Sequence, residues 1–312
     1  KEEQNLSKNI KYQFLYAINE NFKENQDKHS LKKQHLVGQE TIFSYSSRTD
    51  LINLSSNFAN WLKETHPEIK KVKDISASNI AEFLSHKVDN CSQKTLEHYS
   101  SLFRKLSLIV NSTYHLTTDY TKDLVIPLSN KNGGGKIRTL MLETNDYNIL
   151  LNTTNNNLKK ALLLSQQFGL RSSEIGKLFA NDIRTNTITH SSTIHIIDSK
   201  GKRNRIIPVE TPEQKHALAI VQSLLKNNRV CPVQHESLEQ AFRRELKRYN
   251  LDTKYKNGCF HLCRKAFATS QYQQARSSGL SVKESMSHVS VLLGHGKERF
   301  DLMREYICCP LV

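Results

Sequence analysis

The chain has 312 residues, with 45 Lys and Arg against 30 Asp and Glu, giving a formal net charge of +15 and a pI near 9.5. Mean hydropathy is −0.57 and apolar runs such as Ala161 to Leu164 fall far short of the ~20 residues a spanning helix needs, so a membrane span is excluded and a polyanionic partner is favoured. The first twenty residues carry acids beside the amino end and no apolar secretory core, and six cysteines are too sparse for a disulfide-stapled mini-domain, which together imply an intracellular, cytoplasmic chain with reduced thiols.

Residues 1–38 mix Lys, Glu, Asn and Gln around Phe14, Leu15, Ile18 and Phe22, which predicts an N-terminal extension ending in a weak helix. From 39 to 125 the pattern is helical. Leu51, Leu54, Phe58, Trp61 and Leu62 recur at three- and four-residue steps. Ser78 is placed to cap a helix through Ile80, Phe83 and Leu84, and a third helix carries Leu96, Tyr99, Leu102, Phe103 and Leu106. Residues 126–140 hold Pro127 and the run Gly133, Gly134, Gly135, a flexible linker between two periodic regions.

Residues 141–312 form a second domain. Asn157 to Phe168 read as a helix stopped by Gly169, after which Ser172 is placed to cap a helix through Ile175, Leu178 and Phe179. The β-branched segment TITHSSTIHIID is answered across the turn SKGK by RNRIIPV, a β-hairpin, and helices resume from about Ser237. The expected fold class is mainly α with a small antiparallel β-sheet: an all-α first domain, then an α+β second domain.

Four segments of the second domain place cationic or titratable residues at element ends. In FGLRSSEI, Arg171 follows a Gly-Leu turn at a helix start, where backbone N–H groups favour anions. The ordinary alternative is a surface pair with Glu174. The turn SKGKRNR gathers Lys200, Lys202, Arg203 and Arg205, exposed and able to enter a groove or meet a substrate. In HLCRKAF, His261 and Arg264 share a helical face, a proton carrier beside a group that forks onto phosphate oxygens. In VLLGHGKERFDLMREY an apolar helix ends at Gly294, His295 follows, and Tyr306 lies on the next element. A fifth segment, FRRELKRYNLDTKYK, holds six Lys and Arg against two acids and offers Arg243, Arg244, Lys247 and Arg248 as phosphate contacts, or as a solvated helix face. Cys259, His261 and Cys263 make half a zinc site, but Cys308 and Cys309 are adjacent and poorly placed to complete a tetrahedron, so no metal is expected.

Arg171, Lys200 on its hairpin, His261-x-x-Arg264, LLG-His295 and Tyr306, in that order, resemble the tyrosine recombinases, the family of phage integrases and Xer-type site-specific recombinases. Residues 39–125 look like that family's core-binding domain and 141–312 like its catalytic domain. The stretch between Arg264 and LLG-His295 looks longer than in compact members, and Ser281 with Glu284 reads as a capping box that opens an ordinary helix there.

The resemblance implies tyrosine attack on a DNA phosphodiester, a 3′-phosphotyrosyl link, a free 5′ hydroxyl, and rejoining by a partner strand. Arg171 and Arg264 then hold the phosphate and favour the phenolate, His261 is general base or its positioner, Lys200 is general acid, and His295 donates to the phosphate. No cofactor, ATP or metal is implied. The implied partner is double-stranded DNA at a specific site, gripped by two domains closing as a clamp, with a homotetramer acting on two duplexes. The apolar tail Ile307 to Val312 is compatible with packing on a neighbouring subunit. The rivals are a type IB topoisomerase-like nicking-closing enzyme and a catalytically silent DNA-binding regulator.

Overall fold

The computed structural model describes residues 8–24, 26, 31, 34, 38–131, 140–199 and 204–311. The chain divides into two compact units, Lys1–Gly135 and Lys136–Val312. The expected Gly133 to Gly135 linker lies outside the described residues.

The first unit is all-helical, with α1 Ile10–Glu20, α2 Tyr45–Thr65, α3 Ala77–His86 and α4 Gln93–Tyr114. Its core is aromatic. Phe58 meets Phe83 and Phe103 edge-on at centroid separations of 5.1 and 5.0 Å, the offset geometry that ring quadrupoles favour. Helix α1, which the sequence reading leaves in an extension, is part of this core: Phe14, Ala17 and Ile18 are fully buried against α2 and α4. Burying Phe14 and Ile18 contributes roughly 1.5–3 kcal/mol each. Gln13 explains why the helix reads weakly. A polar residue stands on its buried face, and its Nε2 donates to Lys70 O at 3.1 Å while its Oε1 accepts from Val72 N at 3.0 Å. The cap of α3 also differs from expectation. Ser76, not Ser78, is the N-cap, because Asn79 at the third helical position returns a bond to Ser76 N at 2.9 Å.

The second unit is built on α6 Asn156–Phe168, preceded by α5 Thr144–Leu150. Leu158, Ala161, Leu162, Leu164 and Phe168 are fully buried, and α6 is packed by α8 Pro212–Ser223, α9 His235–Arg248 and α10 His261–Ser277. The one-turn helix α7 spans Ser172–Ile175. It stops short of the expected Leu178 and Phe179 because the chain opens there, with Val230 N donating to Leu178 O at 2.9 Å and Phe179 bridging Arg229. Its N-cap is Arg171 rather than Ser172.

The hairpin forms as β2 Ser192–Ile196 against β3 Arg205–Val209, and β1 Ile183–Thr185 extends it to an antiparallel sheet in the order β1-β2-β3. Ile194 faces Ile207 across the ladder. By alternation Ile194, Ile196, Ile207 and Val209 turn inward, and Ile206 is exposed. Helix α8 falls where no helix was expected, although Thr211, Pro212 and Gln214 form a capping box with proline in the first turn.

The unit closes with α11 Val282–Leu292 and α12 Phe300–Tyr306. Ser281 and Glu284 make the expected capping box. Phe267, Tyr272, Met286, Val289, Leu293, Met303 and Ile307 form a second apolar cluster. The tail packs on its own unit here. Ile307 is buried in that cluster and Cys308 N donates to Thr269 Oγ1 at 2.9 Å. Among the described residues no helix is long and apolar enough to cross a membrane, and no group of three or more His, Cys, Asp and Glu is placed to hold a metal ion.

Candidate active site

The site assembles where five helices end or begin. Helix α6 terminates on Gly169 at φ +64°, a left-handed cap that glycine adopts without strain, and an added Cβ there would lie 2.5 Å from the Phe267 ring. The turn delivers Arg171 to the start of α7. Its backbone N–H donates to Glu174 Oε2 at 2.9 Å and its Nη1 to Glu174 Oε1 at 2.7 Å.

The Glu174 side chain is only 2% exposed and serves more than Arg171. Arg205 Nη1 donates to Oε1 at 2.7 Å and Nη2 to Oε2 at 2.8 Å, and Ser199 Oγ donates to Oε1 at 2.5 Å. Burial by itself would raise the carboxyl's pKa. The Arg205 hydrogen bonds and charge, then the charge of Arg264 and the Arg171 amide, win and hold it far below the usual carboxylate range.

Arg264 stands on the first turn of α10 and is 1% exposed. Nη1 donates to Gly169 O and Nη2 to Leu293 O. These carbonyls cap α6 and α11, so a buried cation sits at two helix carboxyl ends, where orphan acceptors and the negative dipole ends favour it. Burial first, and then the Arg171 charge, pulls its pKa down to about 10, which leaves it charged at neutral pH.

His295 follows Gly294, whose φ of +72° turns the chain back. Its Nε2 lies 3.2 Å from Arg171 Nη2 and 3.5 Å from Arg264 Nη2. A guanidinium has no acceptor, so Nε2 accepts and the ring is neutral in this arrangement. Burial, then Arg264 and Arg171, pushes the His295 pKa down to about 3.

Tyr306, half-buried, ends α12. Its ring centroid is 5.4 Å from that of His295 and 6.1 Å from that of His261, and the Arg264 guanidinium carbon is 5.5 Å from it. The exposed His261 opens α10 on the same side. Tyr306 therefore stands beside Arg264, His261 and His295, with Arg171 against His295, and the five residues come from four segments of the chain.

A sequence model of the phage integrase family matches residues 140–295, half of the 312 residues. The chain belongs to the phage integrase family. It is a tyrosine recombinase, an enzyme of site-specific DNA recombination. The matched span contains Arg171, Lys200, His261, Arg264 and His295 and stops before Tyr306. Among solved structures, the recombinase is similar to XerH site-specific recombinase bound to palindromic difH substrate (16% identity, TM-score 0.66, 96% of this chain and 91% of that one). It is also similar to a lambda integrase dimer bound to a COC′ core site (16%, 0.63, 89% and 77%). A third is Tn1549 transposon integrase in complex with circular intermediate DNA (12%, 0.55, 95% and 95%). At these identities the likeness is one of fold. No curated protein matches the recombinase in sequence.

Of the cations expected on DNA, Lys202 and Arg203 lie outside the described residues, as does Lys200. Arg205 opens β3 with its side chain 10% exposed and its fork on Glu174. Arg243, Arg244, Lys247 and Arg248 lie on the exposed side of α9, whose Leu238, Ala241, Phe242 and Leu246 are buried. Arg243 Nε donates to Gly258 O at 3.2 Å, and Arg248 pairs with Glu245 at 3.5 Å.

The sequence reading of the recombinase missed Ser199 and took Glu174 only as a surface partner of Arg171. That pair exists, but buried. The inward parity of Arg205 with Ile207 and Val209 was the available sign that Arg205 turns away from solvent.

Proposed function

We propose that Tyr306 is the nucleophile of this recombinase. Its hydroxyl oxygen attacks a DNA phosphorus, the bond to the 5′ oxygen breaks, and a 3′-phosphotyrosyl link remains until a partner strand's 5′ hydroxyl reverses the exchange. His261 takes the phenolic proton and Lys200 returns one to the leaving oxygen, so protons balance. One phosphoester replaces another, so the exchange needs no ATP. Arg171 and Arg264 bind the non-bridging oxygens, where negative charge grows in the transition state, and His295 adds a hydrogen bond.

The observation that carries this reading is the 5.5 Å approach of Arg264 to the Tyr306 ring. It brings the tyrosine to arginines already fixed by Glu174 and by two helix ends, so little reorganisation is left for the reaction itself. The topoisomerase and silent-regulator alternatives are not favoured, because the family match is to phage integrases and the reactive residue types converge.

The partner in this reading is double-stranded DNA, bound in the cytoplasm. Residues 39–125, packed with α1, serve as a core-binding domain and 141–312 as the catalytic domain. Lys202, Arg203, Arg243, Arg244, Lys247 and Arg248 contact phosphates. A homotetramer on two duplexes is supported by the fold shared with a lambda integrase tetramer bound to a Holliday junction, at TM-score 0.59. Peptide mapping of the protein trapped on a nicked DNA taken from the flanks of its gene tests the nucleophile. The nucleotide should be found on the Tyr306 peptide, and its appearance on Tyr272 would overturn the assignment.

A further inference from the structure

The helix starts that carry Arg171 and His261 are both tied to one carboxylate of α9. Ser172, the first residue of α7 and the neighbour of Arg171, donates through Oγ to Glu239 Oε1 at 2.8 Å. Phe260, the N-cap of α10 and the neighbour of His261, donates through its backbone N–H to Glu239 Oε2 at 3.2 Å. Each oxygen therefore holds a different segment.

Helix α10 has no side-chain cap of its own. Its third position is Cys263, whose thiol is a poor acceptor for the N-cap amide, unlike the Glu or Gln of a capping box. Glu239 supplies that acceptor from α9 and places a negative charge at a helix amino end, where orphan N–H groups favour it. The same helix grips the segment twice more. Phe242, one turn along α9, has its ring 5.0 Å from that of the buried Phe260, and Arg243 Nε donates to Gly258 O at 3.2 Å. An acid on a helix that contacts phosphates works against DNA binding, so its place is explained by what it holds and not by the duplex.

We propose that Glu239 is a positioning residue that fixes the starts of α7 and α10 relative to each other, so that the phosphate-binding Arg171 and the proton acceptor His261 meet the same phosphate in register. The inference rests on the reading of Arg171 and His261 as catalytic. Glu239 acts on the phosphate only through these two neighbours.

The test measures single-turnover cleavage of DNA already bound at saturating protein, with DNA affinity and thermal midpoint measured alongside. In Glu239→Gln the amide oxygen still accepts from Phe260 N while the amide nitrogen donates to Ser172 Oγ. Both links survive without the charge, and cleavage should stay within about 3-fold of the parent. Glu239→Ala cuts both links and should slow cleavage about 30-fold with little change in DNA affinity. Ser172→Ala cuts one link and keeps the carboxylate. It should slow cleavage about 5-fold, and it remains readable if Glu239→Ala fails to fold. A role confined to stability would lower the midpoint and leave folded, bound protein cleaving at the parent's rate. That outcome, or Glu239→Gln as slow as Glu239→Ala, would overturn the positioning role alone, provided Arg171→Ala and His261→Ala are impaired. Parent-like cleavage in both of those variants would overturn the catalytic reading and this inference with it.

Discussion

The Arg264 guanidinium carbon stands 5.5 Å from the centroid of the Tyr306 ring. The guanidinium is held there by the carbonyls of Gly169 and Leu293, and the Glu174 carboxylate acts on it through charge rather than by a hydrogen bond. A lysine at this position keeps the charge and loses the fork. Arg264→Lys should therefore reduce single-turnover cleavage by about 100-fold or more, as for the loss of a transition-state donor. DNA affinity, which is spread over many phosphates, should change far less. A cleavage rate within a few-fold of the parent would remove Arg264 from the transition state.

Gly169 links backbone geometry to that arginine. A non-glycine residue in the left-handed region costs about 1–2 kcal/mol, and Gly169→Ala would also drive a Cβ to 2.5 Å from Phe267. The combined loss should be about 3 kcal/mol in denaturant unfolding, with slower cleavage as the Gly169 carbonyl shifts under Arg264. Gly279 is the control, with φ +90° and nothing within 4 Å of an added Cβ. Gly279→Ala should show only the backbone cost and an unchanged cleavage rate. Equal destabilisation by the two variants would contradict the role given to the Phe267 contact.

The neutrality of His295 has a sign that stability reports. An unfolded histidine takes up a proton below about pH 6.5, whereas the folded ring stays neutral down to about 3. The unfolded state binds more protons in that window, so the His295 contribution is present above pH 6.5 and is lost as pH falls toward 3. His295→Gln should flatten the stability profile over this range. By NMR the His295 ring should not titrate between pH 5 and 8 in the free protein, and a midpoint near 6.5 would contradict its burial beside two arginines.

Exposed cations on α9 give a separable prediction. Arg244→Ala and Lys247→Ala should each weaken DNA binding and lower the slope of log affinity against log salt by about 1, leaving cleavage of bound DNA intact. An unchanged slope would assign this face to solvent.

Five of the six residues of the proposed catalytic set sit beside a marker of local structure in the sequence: Gly169 ahead of Arg171, a strand pair around Lys200, the i, i+3 spacing of His261 and Arg264, and Gly294 before His295. Three other features depended on tertiary contacts. Helix α1 shows as a weak helix in the spacing of Phe14 and Ile18, but its place in the core and the bond from Gln13 to a distant backbone do not show in that spacing. Glu174 looks like any helix-surface acid until Arg205 arrives from β3. Arg205 itself was read by its basic neighbours, although its strand parity pointed inward.

In the proposed reaction Tyr306 forms the covalent bond to DNA. On a nicked suicide substrate, the parent protein should accumulate an SDS-resistant DNA adduct, while Tyr306→Phe should bind the same DNA with comparable affinity and form none. A persistent adduct in Tyr306→Phe would contradict the account.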